Sequence, residues 1–96
     1  QVGFTLDNLA NAHGALGDVH EKKTLLERAL TIKEKHYGPE HYQVAFTIGN
    51  LAVAYGDLGD KRQKKALLDR VLPIFVKHYG TEHPHVEWTK RSMKEL

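Results

Sequence analysis

Apolar positions recur along the chain at helical spacing, and they do so in two passes. Leu6, Leu9, Ala10 and His13 stand at i, i+3, i+4 and i+7, and Ile48, Leu51, Ala52 and Tyr55 repeat that spacing. Such a stripe predicts one buried face of an amphipathic helix. A second pair of stripes follows: Leu25, Leu26, Ala29, Leu30 and Ile32, then Leu67, Leu68, Val71, Leu72 and Ile74. Between the stripes stand Gly17-Asp18 and Gly59-Asp60, a glycine to end one helix and an aspartate to cap the amides of the next. Each second stripe runs into His-Tyr-Gly, where Gly38 and Gly80 supply the reversal. No period-2 alternation is present, so the predicted fold is all-α.

The stripes belong to an internal repeat. Sliding the chain by 42 positions aligns residues 2–43 with 44–85, and 24 of those 42 positions are identical. A third copy begins at Val86 and stops at Leu96. The expected organisation is one domain: repeat one at 2–43, repeat two at 44–85, and a capping helix at 86–96. Its sequence, "VEWTKRSMKEL", places Lys90, Arg91, Ser92 and Lys94 where repeat two has Ile48, Gly49, Asn50 and Ala52. That polar substitution suits a terminal repeat, with Trp88 and Met93 expected to turn inward beside Leu96. Pro73 stands inside the second helix of repeat two, where repeat one has Thr31, and is expected to kink it.

The duplicated stretches "KHYGPEHYQVAFT" and "KHYGTEHPHVEWT" hold most of the histidines, so a metal site competes with an architectural role. Zinc requires three or four convergent ligands. His36 and His41 stand one repeat away from His78 and His83, which leaves His78, His83 and His85 as the densest group. The expectation is architectural: His36 and His78 pack at helix ends, His41 and His83 orient the turns, and His13 is a core histidine.

Composition narrows the rest. Of the 96 residues, 41% are hydrophobic and 27% charged, which is ordinary for a globular protein. There is no cysteine, so thiolate metal sites and disulfides are excluded. No apolar run reaches the roughly 18 residues of a membrane span, and "QVGFTLDNLA" lacks the pattern of a signal peptide. A net charge of +2 with one basic run, "KRQKK" at 61–65, is too sparse for a nucleic-acid or lipid surface. No serine–base pair or phosphate loop suggests catalysis. The expectation is therefore a non-enzyme without cofactor, nucleic acid or membrane, located in the cytoplasm.

"TLDNLANAHGALGDVHEKKTLLERAL" and "TIGNLAVAYGDLGDKRQKKALLDRVL" resemble tetratricopeptide repeats over essentially the whole chain. The common unit is about 34 residues; the longer form here is similar to the repeats of kinesin light chains and nephrocystin-type proteins. The resemblance implies a helical solenoid that binds an extended peptide or protein partner in a concave groove. Its groove positions fall on Phe4, Asp7, Asn8, Asn11 and Ala15, then on Phe46, Gly49, Asn50, Val53 and Asp57. Asn8 and Asn50 are the expected principal contacts, because an amide both donates and accepts. A clamp for a peptide carboxylate is not expected, since Asp7, Gly49, Trp88 and Ser92 occupy its basic positions. Lys22 and Lys64 depart from the family's small residue, which puts the close approach of two helices in question. The chain enters repeat phase at residue 2 without methionine or a cap, so a fragment of a longer array is expected. Its first residues, Val2, Phe4 and Leu6, form an edge through which the chain is expected to self-associate as the alternative function.

Overall fold

The computed structural model describes residues 18–95. Four helices follow in order: α1 (Val19–Tyr37), α2 (Tyr42–Asp57), α3 (Lys61–Tyr79) and α4 (Pro84–Lys94). No strand occurs among the described residues. Each helix packs on the next, α1 on α2, α2 on α3 and α3 on α4.

Local sequence sets the helix ends. Asp18 and Asp60 accept hydrogen bonds through Oδ1 from the backbone N–H of Glu21 (3.0 Å) and Gln63 (3.1 Å). Each thereby satisfies an amide that the first turn leaves without a partner. At the other end of α1 and α3, Gly38 and Gly80 adopt φ of 90° and 88°, a region closed to most side chains. Their N–H groups return to the carbonyls of Glu34 and Val76, both at 2.9 Å.

The core lies on both sides of α2. Leu25, Leu26, Ala29 and Leu51 form the part shared with α1. Val44, Ala45, Ile48, Val71, Ile74, Phe75 and Val86 join α2 to α3 and α4. Alanines and a glycine among the buried positions of α2 let helices approach on two sides.

Three expectations change. Leu30, Ile32, Leu67 and Leu72 are half-buried rather than central, while Lys33 and Phe75, 42 positions apart, are buried. The interhelical contact is rotated by about a residue from the stripe read along the chain. Trp88 does not turn inward: Val86 and Thr89 are fully buried on α4, whereas Trp88 is 37% exposed and Met93 half-buried. Trp88 lies 42 positions after Phe46, which is likewise not fully buried, and that register carries it outward. Lys64 is accommodated because a Cβ at Gly56 would come within 2.8 Å of Lys64 Cδ, so the missing side chain is what makes room for the lysine stem. Pro73 stands inside α3, which is one helix from Lys61 to Tyr79.

Candidate functional site

The site is assembled at the second joint, between the end of α3 and the start of α4. His83 caps α4: its Nδ1 accepts the backbone N–H of His85 at 3.1 Å, and Pro84 fills the first helical position, where no N–H is required. The first joint repeats the device, with His41 Nδ1 accepting from Gln43 at 3.1 Å. Each capping ring stacks on the tyrosine that ends the preceding helix. His41 lies on Tyr37 at 4.5 Å and His83 on Tyr79 at 4.1 Å between centroids. The repeated histidines orient the turns. Among the described residues no group of three or more His, Asp or Glu side chains is arranged to hold a metal.

Capping by His83 fixes where α4 begins and so where His85 and Trp88 point. His85 meets Phe46 edge-on at 4.9 Å and lies 5.6 Å from Phe75. Phe46 and Phe75 are themselves 5.2 Å apart. The Trp88 indole reaches across to α2, where a Cβ at Gly49 would stand 3.5 Å from its Cζ3. Together Phe46, Gly49, Asn50, Phe75, His85 and Trp88 enclose an open pocket of about 250 Å³. No Asp, Glu, Lys or Arg lines it.

Of the expected groove residues, Phe46 and Asn50 stand in this pocket, as does Gly49. Val53 and Asp57 lie farther along α2, half-buried and exposed respectively, and do not line it. Phe4, Asp7, Asn8 and Asn11 lie outside the described residues, as do the edge residues Val2, Phe4 and Leu6 and the histidine His13. The half-buried Asn50 amide makes no hydrogen bond among the described residues, nor does the Trp88 indole N–H.

Phe75, His85 and Trp88 escaped the sequence reading as pocket residues. For Trp88 the signal was present in the 42-residue offset from Phe46. Tyr79 borders the same aromatic group, 5.1 Å from His85. Burial, with a smaller contribution from nearby Tyr42, raises its phenol above the usual tyrosine value.

A tetratricopeptide repeat family model matches residues 5–43 and 44–85. The chain belongs to the tetratricopeptide repeat family. Among solved structures it is similar to the nearly identical TPR-like repeats of a protein assigned as a kinesin light chain of Podosopora anserina. The TM-score is 0.89 at 29% identity, over 97% of this chain and 44% of that one. The chain thus spans less than half the length of that relative. No curated protein sequence matches. Repeats of this family mediate protein–protein interactions on a fold that is typically a non-catalytic scaffold. No described helix is long and apolar enough to cross a membrane.

Proposed function

We propose that this chain is a protein-interaction module that receives an extended segment of a partner along α2, with Asn50 as its principal polar contact. The observation that carries this reading is the Asn50 amide, half-buried beside an open pocket and without a hydrogen bond among the described residues. A side chain that both donates and accepts matches the alternating N–H and C=O of an extended backbone whatever the partner's sequence. Val53 and Asp57 continue the same helix beyond the pocket and extend the contact, Asp57 giving a mild preference for basic character in the partner. The absence of Lys and Arg from the pocket walls argues against a carboxylate clamp at this position.

The test is selection of linear peptides from a randomised displayed library, followed by calorimetric titration against the wild-type chain and Asn50→Ala. Peptides that bind, and lose about fivefold or more in affinity to Asn50→Ala, support the proposal. A library that yields no binder, or binders indifferent to Asn50, overturns it.

A further inference from the structure

We infer that the pocket at the second joint takes one uncharged apolar side chain of Leu, Ile, Met or Phe size from the bound segment, and that this residue anchors its register. The inference rests on the peptide-groove reading above and names what that groove selects.

Size, polarity and the neighbouring hydrogen-bonding groups each bear on the occupant. An apolar cavity of about 150 Å³ is enough to hold a benzene ring. The roughly 250 Å³ here, open on one side, suits a single side chain and falls below the range of sites that enclose a drug-sized ligand or cofactor. Three of the six lining residues are Phe46, Phe75 and Trp88, and none is Asp, Glu, Lys or Arg; the one titratable side chain is the His85 imidazole. A lysine or arginine side chain would therefore be desolvated without a counterion, and a carboxylate would face only the His85 imidazole, so either is costly beside three aromatic walls. The Asn50 amide and the Trp88 indole N–H are both without partners among the described residues. They present a donor–acceptor and a donor beside the apolar box. A peptide offers this pairing at every residue: an apolar side chain for the box, and its own N–H and C=O for the rim.

The equivalent positions one repeat earlier carry a different set. The residues 42 positions earlier are Phe4, Asp7, Asn8, Lys33, Gln43 and Phe46. Asp7 and Lys33 stand in place of Gly49 and Phe75, so the sequence does not repeat the set. A feature present at one joint alone can fix the register of an extended ligand, which a uniformly repeated one cannot.

Trp88 is the single tryptophan of the chain and supplies a direct reporter. Synthetic peptides taken from the selection described above are substituted at each position in turn with Asp, Ala and Leu, and titrated by Trp88 fluorescence and by calorimetry. The expected result is one position at which Leu, Met or Phe binds and Asp costs about tenfold or more in affinity. Binding shifts Trp88 emission to the blue with the same Kd as calorimetry. Gly49→Leu, which fills the pocket from α2, abolishes that positional preference, and Trp88→Ala, at a partly exposed position, weakens it if Gly49→Leu fails to fold. Peptides that bind with no position requiring an apolar residue, or with the preference intact in both variants, overturn the anchor and leave the groove reading standing. A selection without binders overturns both.

Discussion

The ring of Tyr42 lies flat on that of His78, with 4.0 Å between centroids and 14° between planes. Tyr42 opens α2 just after the first joint, and His78 stands in the last turn of α3 just before the second. Through this pair the Tyr37–His41–Tyr42 stack continues to His78, which meets Tyr79 edge-on, and Tyr79 stacks on His83, so the two joints share one run of aromatic contacts. A double-mutant cycle of Tyr42→Ala and His78→Ala is expected to show a coupling of about 0.5–1.5 kcal/mol in urea denaturation. A coupling near zero would mean that the rings contribute area alone.

Capping by histidine gives a second prediction. Because His83 Nδ1 accepts the His85 N–H, the ring is held as the Nε2–H tautomer. His83→Ala is expected to cost about 1 kcal/mol of stability. Asn, a preferred capping residue, should recover the cap but not the stack on Tyr79. His83→Asn should accordingly fall between wild type and His83→Ala when their urea midpoints are compared, and identical midpoints for Asn and Ala would refute the capping role.

Pro73 withholds one N–H from a helix that runs through it, and its side is exposed. The position carries an ordinary helix former's burden in repeat one, where Thr31 Oγ1 donates to the Glu27 carbonyl. Pro73→Ala is expected to raise the unfolding free energy by about 1–3 kcal/mol. Loss of stability in the same denaturation experiment would show that the proline ring contributes packing which outweighs the missing hydrogen bond.

Alkaline pH gives the fourth. The Tyr79 phenol is raised in the folded chain, first by burial and then by Tyr42, whereas in the unfolded chain it titrates near pH 10. Above about pH 10 the unfolded state loses this proton first, so the stabilisation is complete below that pH and is lost as pH rises through the folded value. Thermal unfolding followed between pH 8 and 11 should therefore show a fall in Tm that Tyr79→Phe reduces. An unchanged slope in the variant would assign the fall to other groups.

Helix content and the turns between helices were legible along the chain. Asp18, Asp60, Gly38 and Gly80 act over three or four residues, through one backbone amide or one φ angle, and the 42-residue offset marks each of them twice. The capping roles of His41 and His83 were legible in outline for the same reason. Asn50 was expected as a groove position only through the family resemblance, and it lines the pocket.

The burial of particular faces was decided by the docking of whole helices. In a helix one residue turns the side chain by about 100°, so a small rotation of α3 against α2 exchanges Leu72 and Phe75 between rim and core. Trp88 came out exposed because the stretch after Val86 keeps the repeat phase of Phe46, although its polar composition suggested a lid with its aromatic residue inside. Lys64 fits because Gly56, eight residues away on the facing helix, leaves room for its stem. The pocket needs Phe46 from α2, Phe75 from α3, and His85 and Trp88 from α4. Sequence by itself determined the repeat, the helices and their caps, since those depend on neighbours in the chain. Only the tertiary structure decided the pocket, because its walls meet through the packing angles of three helices, and no local pattern encodes those angles.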